Sequence, residues 1–494
     1  MNLPLIDRAY QNPNQVAIVA TEGTFTYQDL LETSAQIATK LLDNTEDLQE
    51  QRVAFLIPSG FQYVATQWGI WRAGGIAVPL CVSHPKPELD YVIADSGASI
   101  IIAHPNFENL LRPIAEERNI RFILTSETLP EQVSLLPKIE LTRRALILYT
   151  SGTTGKPKGV VTTHKNIQAQ VTSLVSAWGW TADDRILHVL PLHHIHGIIN
   201  VLTCALWSGA QCHILPKFDA EVVCDRISQG DLTLFMAVPT IYVKLIAAWA
   251  KADGDRQKRI SEGGAKMRVM ISGSAALPVK VLEKWQKISG HFLLERYGMT
   301  EIGMGLSNPL KGERLAGFVG KPLPQVEVRL VDESGEIVPP GTPGEIQVKG
   351  ETVFLEYWQK PEATTKAFRD GWFCTGDFAV VENDNYRILG RISVDIIKTG
   401  GYKVSALEIE EVLRTHSDIQ DCAVVGVEDM EWGERVCAAL ILKSGSNLSL
   451  ETLRSWAKER LASYKVPSKI IVVEDLPRNA MGKVTKPSVV KLFQ

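Results

Sequence analysis

Residues 149–159, YTSGTTGKPKG, crowd the hydroxyls of Thr150, Ser151, Thr153 and Thr154 together with Gly152, Gly155 and Gly159 and the ammonium groups of Lys156 and Lys158. They follow an apolar run, ALILYT, directly. Glycine lets the backbone turn its N–H groups inward around a polyphosphate, and the hydroxyls and lysines add donors and positive charge. A solvated surface loop draws on the same residue types. The loop is not a Walker A motif, which needs a glycine where Thr150 stands and Ser or Thr where Pro157 follows Lys156. A second feature is Arg296, set in LLERYGMTEIGM (293–304) between Leu293-Leu294 and Tyr297. A buried guanidinium without an anion costs several kcal/mol. Its anion is either an acid of the protein, such as Glu301 or Glu327, or part of a ligand; Glu295 is adjacent but faces the other side of a strand. A third is HHIH, with His193, His194 and His196. No cysteine or carboxylate sits at zinc-ligand spacing nearby, so the cluster is better suited to donating to an anion.

These groups need a scaffold, and the pattern of apolar runs describes one. Residues 52–58, 99–104, 145–150, 232–238 and 267–272 read as strands buried on both faces, with helical patterns at 239–251 and 278–288 between them. Such alternation predicts a mostly parallel α/β sheet covered by helices. Residues 325–390 are β-rich, with a hairpin at FAVVENDNYRILG, and a smaller α+β unit follows GRIS (390–393). The expected division is a large domain at 1–391 and a small mobile domain at 392–494. Residues 1–45 and the charged stretch KADGDRQKRISEGG (251–264) carry no legible signal. The 494 residues, with net charge −4, give no electrostatic reason to expect nucleic acid. No apolar run is long enough to span a membrane, and the N-terminus lacks a secretory or transit pattern. Seven cysteines without a C-x-x-C pair read as reduced thiols, so a cytoplasmic protein is expected.

The 149–159 loop resembles the signature of the adenylate-forming superfamily: acyl-CoA synthetases, nonribosomal adenylation domains and luciferases. LPLHHIHG (190–197), YGMTE (297–301), GWFCTGD (371–377), GRISVDIIKTGGYKVSALEIE (390–410) and LPRNAMGKV (476–484) follow in that family's order. The resemblance implies an ATP-dependent enzyme that activates a carboxylate as acyl-AMP, releases pyrophosphate and passes the acyl group to the thiol of coenzyme A. It also implies roles. The loop would hold the β/γ-phosphates, Thr300 the α-phosphate and Glu301 a Mg²⁺ ion; Tyr297 would pack on the adenine; Asp377 would accept the ribose hydroxyls beside Arg391. Lys483 would be the catalytic lysine, brought in by the small domain. That domain would then turn about Ser393, where many relatives carry Asp or Lys, so that Lys398, Gly400 and Gly401 line a pantetheine tunnel. His194 and His196 would face the acyl pocket.

In that family the residue before the motif tyrosine is often small, so Arg296 would put a cation at the pocket floor. Ser274, in SGSAA (272–276), and the histidines would complete a cradle for a second carboxylate. The expected substrate is therefore a short dicarboxylate, and LERYGMTEIGM, VPTIY (238–242) and DIIKTGGYKVSALE (395–408) resemble the malonyl-CoA/methylmalonyl-CoA synthetase branch. Alternatives are a synthetase for another short, fatty or aryl acid, and a catalytically silent nucleotide-binding regulator.

Overall fold

Strands that are apolar on both faces are stable only between layers, and the chain builds two such sheets. The computed structural model describes residues 3–150, 156–400, 402–478 and 482–493. A nine-stranded sheet contains Leu294–Met299 between Val269–Ser272, its parallel neighbour, and Gly303–Ser307, its antiparallel one. The register pairs Ser272 with Glu295 and Arg296 with Ser307. The SGSAA segment thus leaves the sheet beside Arg296.

A seven-stranded sheet holds Arg144–Thr150 and Lys158–Thr163, paired antiparallel with Thr150 opposite Lys158. The sequence pattern predicts mostly parallel strands, and this pair departs from it. The connection is too short for a parallel crossover, which leaves antiparallel pairing for the two flanking strands. Residues 151–155, which include Ser151, Gly152, Thr153, Thr154 and Gly155, lie outside the described residues.

The β-rich region forms an antiparallel sheet whose strands Trp372–Glu382 and Asn385–Arg391 make the expected hairpin. After a turn at 392–395 the small unit begins with Ile396–Thr399 and Tyr402–Ser405, followed by Ile419–Asp429 and Gly433–Leu442, with Lys469–Val472 parallel at the edge. It has its own apolar clusters on the two faces of this sheet. Ser393 is exposed in the turn. The Asp395 carboxylate accepts from the Arg391 N–H at 3.0 Å, and Lys486 pairs with Asp395 at 3.5 Å.

Three segments differ from the sequence reading. Residues Gly254–Ala265 form a helix, N-capped by Asp253, whose side chain accepts from the Arg256 N–H at 2.8 Å. Its high charge hides a narrow apolar stripe at Ile260 and the two glycines that follow. In the N-terminal region, Tyr27–Leu42 is a helix with a Thr26/Asp29 capping box, a spacing visible in the sequence. His196–Thr203 is π-helical, a widened turn that is frequent at functional sites.

Candidate active site

Arg296 enters the core because its strand is central and its neighbours are apolar; only 3% of its surface is exposed. Nη2 donates to Ser274 Oγ at 3.3 Å, while Nε and Nη1 have no partner. No acid lies within ion-pair distance of it among the described residues. Glu301 accepts instead from Tyr357, and Glu327 is exposed. Glu295 points the other way, as strand alternation requires, and accepts from the Gly317 N–H at 3.3 Å. Among the described residues nothing supports the protein-acid alternative for Arg296. Ser274 Oγ also meets His196 Nδ1 at 3.2 Å, and His196 Nε2 is unpartnered. Burial, reinforced by the Arg296 charge, holds the His196 pKa well below its ordinary value. His194 is pressed to about 4 by burial and by Lys483. Both imidazoles are thus neutral at physiological pH, which leaves the guanidinium charge unneutralised and still wanting an anion.

Next to the Arg296 corner is a second cluster. Tyr297 Oη donates to Asp377 Oδ2 at 2.6 Å, and Arg391 Nε donates to Asp377 Oδ1 at 2.9 Å. The carboxylate is buried, oriented by two donors, and keeps acceptor lone pairs for hydroxyl groups. Glu301, in the turn between Leu294–Met299 and Gly303–Ser307, is 6% exposed and accepts from Tyr357 Oη at 2.9 Å. Burial raises its pKa and the Tyr357 hydrogen bond partly offsets that. Thr300 is the preceding turn residue and is half-buried. Lys158 Nζ sits 4.8 Å from the Tyr357 ring centroid, so one tyrosine ties the start of the Lys158–Thr163 strand to Glu301. Lys156 Nζ lies 5.5 Å from the Tyr91 ring. Thr150 ends the strand that leads into the loop.

Lys483 comes from the small unit yet shares this space. Its pKa is lowered by burial first, then by Arg296 and Arg391, with Asp377 acting in the opposite sense. Three cationic side chains thus converge on one volume, with the oriented carboxylate of Asp377 among them and Glu301 near Arg391. Such a volume attracts polyanions.

Residues 5–358 match the AMP-binding enzyme family, and residues 408–483 match the AMP-binding enzyme C-terminal domain. The chain belongs to the AMP-binding enzyme family. It is 46% identical to a mitochondrial malonate–CoA ligase of Bos taurus over 99% of this chain and 90% of that protein. It is 40% identical to a malonate–CoA ligase of Arabidopsis thaliana, covering 97% of this chain and 86% of the other. Among solved structures, ATP-bound MatB from Rhodopseudomonas palustris superposes with a TM-score of 0.91 at 33% identity, covering 100% of this chain and 99% of that one. The cytoplasmic expectation is overturned by the mitochondrial relatives. Seven free cysteines are compatible with any reducing compartment, so they do not choose between cytoplasm and mitochondrion.

The structure brings together Arg296, Ser274, His194, His196, Tyr297, Glu301, Asp377, Arg391 and Lys483 from six separate sequence motifs. Lys398 and Gly400 stand elsewhere, on the small unit's first hairpin. The Lys398 N–H donates to Glu434 at 2.6 Å and the Gly400 N–H to Trp432 O at 2.8 Å. Gly401 lies outside the described residues. Tyr357 was missed by the sequence reading, because one tyrosine in FLEYWQ has no spacing relation to YGMTE. Replacing it tests its link to Glu301. Tyr357→Phe removes a donor that favours the ionised carboxyl, so the Glu301 pKa rises further. The acidic limb of kcat/KM for ATP is expected to move to higher pH. Pyrophosphate release measured across the acidic range checks this; an unmoved limb would show that another group controls it.

Proposed function

We propose that this enzyme is a malonate–CoA ligase that also accepts methylmalonate: ATP, a short dicarboxylate and CoA give acyl-CoA, AMP and pyrophosphate. The observation that carries the substrate is Arg296, a buried cation with two nitrogens unpartnered and no acid within ion-pair distance among the described residues. In the first step one carboxylate oxygen attacks the α-phosphorus of ATP, and the bond to the β-phosphate bridging oxygen breaks with its electron pair leaving on pyrophosphate. Lys483 would hold the attacking carboxylate and the α-phosphate together and offset the charge that develops there. Thr300 would bind the α-phosphate. Thr150, Lys156, Lys158 and the loop residues 151–155 would hold the departing phosphates. Asp377, oriented by Tyr297 and Arg391, would accept the ribose hydroxyls, with the Tyr297 ring against the adenine. Glu301 would supply the protein oxygen for Mg²⁺, an ion usually held by one or two carboxylates plus substrate phosphates, and the ion would neutralise phosphate charge. A lone buried carboxylate suits that donor set.

In the second step the CoA thiol attacks the acyl carbon, AMP leaves with the electron pair of the acyl–oxygen bond, and the thiol proton passes to solvent. We place the boundary at residues 391 and 392, with the small domain turning about Ser393 so that Lys398, Gly400 and Gly401 line the thiol's path. Support comes from the hairpin that ends at Arg391 and from the separate core of the following unit. The clamp would engage the distal carboxylate with Arg296, Ser274 and His196, with His194 nearer the reacting end.

Thioester formation dependent on ATP and CoA tests the reading, with malonate, methylmalonate, succinate, acetate and octanoate as acids. Malonate and methylmalonate are expected to exceed the monocarboxylates by about 10⁴-fold in kcat/KM, since a monocarboxylate leaves the buried donors unpaired. Equal use of octanoate or acetate would refute the dicarboxylate assignment and leave the family unaffected.

A further inference from the structure

The segment Ser272–Gly273–Ser274 places its residue types contrary to backbone preference. Ser274 has φ +68°, in the left-handed region where a side chain is disfavoured and glycine is usual. Gly273, one residue earlier, has no such φ, so its backbone does not call for glycine. Each choice therefore answers to something other than the local backbone. At Ser274 the hydroxyl bridges Arg296 Nη2 and His196 Nδ1, which accounts for a side chain at a strained position. At Gly273 the need is space. A Cβ there would lie 2.6 Å from Arg296 Cζ, 2.6 Å from Nε and 2.8 Å from Cδ, and these are its three nearest heavy atoms.

We infer that Gly273 sets the depth of the acid pocket: its bare Cα is the seat on which the Arg296 guanidinium lies, and this seat selects the length of diacid that fits. The inference rests on the dicarboxylate reading and adds a positioning residue to it. Ordinary contacts between carbon atoms are about 3.5–4.0 Å, so an added methyl would displace the guanidinium by about 1 Å. The displacement approaches one carbon of chain (a C–C bond is about 1.5 Å). Because 97% of the Arg296 surface is already covered, the side chain has little room to move except into the substrate volume or away from Ser274. Either movement spoils the fit to a three-carbon diacid while leaving the nucleotide subsite untouched.

A double-mutant cycle tests this. The wild type, Gly273→Ala, Arg296→Ala and the double variant are assayed with malonate, succinate and propionate, and KM for ATP is measured for each. In the wild-type background Gly273→Ala is expected to lower kcat/KM for malonate by at least about tenfold, mainly through KM, with KM for ATP unchanged. In the Arg296→Ala background the same substitution is expected to add no loss, because the atoms it would meet are gone. Arg296→Lys, whose shorter side chain deepens the pocket, is expected to raise the succinate-to-malonate ratio. Equal losses in both backgrounds, no loss in the wild type, or an unchanged ratio in Arg296→Lys would overturn the inference. If the wild type ignores malonate and uses propionate, the dicarboxylate reading falls and takes the inference with it. If it is malonate-selective and the cycle is additive, only the depth role falls.

Discussion

Arg296→Met is expected to lower kcat/KM for malonate by about 10³-fold and to leave propionate almost unaffected. Removing one partner of a buried ion pair costs about 3–5 kcal/mol, and on the proposed clamp the partner left behind would be the substrate's second carboxylate. The contact is the same before and during phosphoryl transfer, so the loss should appear chiefly as KM. Methionine fills much of the arginine's volume without charge, which separates lost recognition from a collapsed pocket. The same variant should melt at least as high as the wild type in the absence of ligand. The wild type without substrate buries a cation with two unpartnered nitrogens, and an apolar replacement removes that cost. Malonate should raise the melting temperature of the wild type and not of the variant. Pyrophosphate release and thermal melting read both effects, and an unchanged malonate-to-propionate preference would sink the clamp.

Lys483→Ala is expected to slow acyl-AMP formation by about 10³-fold, within the range of electrostatic groups aimed at developing charge. The thiolysis of acyl-AMP supplied to the enzyme should keep most of its rate, since the lysine acts on the phosphate. A pH profile gives a second readout. Burial, Arg296 and Arg391 depress the Lys483 pKa, so the protonated amine is lost at a lower pH than for an ordinary lysine. The working form lies below that pKa, and adenylation should decline as pH rises through it. In Arg296→Met one of the cations is gone, the Lys483 pKa rises, and the alkaline limb of kcat/KM should shift to higher pH. If both half-reactions fall together in Lys483→Ala, or the limb stays in place, the assignment is wrong.

Much of this site was legible in the order of its motifs. Arg296 stood out because a charge between leucines is expensive, and the structure places it in the core with no acid within ion-pair distance among the described residues. The buried parallel strands were equally plain, because apolar runs punctuated by helical periods admit few other arrangements. What stayed hidden depends on contacts distant in the chain. Tyr357 lies 56 residues from Glu301, and nothing local marks it as that residue's donor. Gly273 reads as an ordinary loop glycine until the guanidinium above it is seen. The helix at Gly254–Ala265 was obscured because few of its residues are apolar and two of its buried positions are glycines. The antiparallel pairing of Arg144–Thr150 with Lys158–Thr163 depends on the length of the connection between them, which strand alternation alone does not include.

Arg296 and Tyr297 are consecutive residues on one strand. The first would grip the far end of the acid and the second orders the carboxylate that would receive the ribose. Their Cα atoms stand about 3.8 Å apart, as across any trans peptide. On these roles the two substrates of the first step would be gauged from a single peptide unit, a ruler that neither loop movement nor rotation of the small domain could stretch. An acid of different length cannot be accommodated by sliding its anchor away from the nucleotide. It has to be met by changing the reach of a side chain against a backbone that stays where it is.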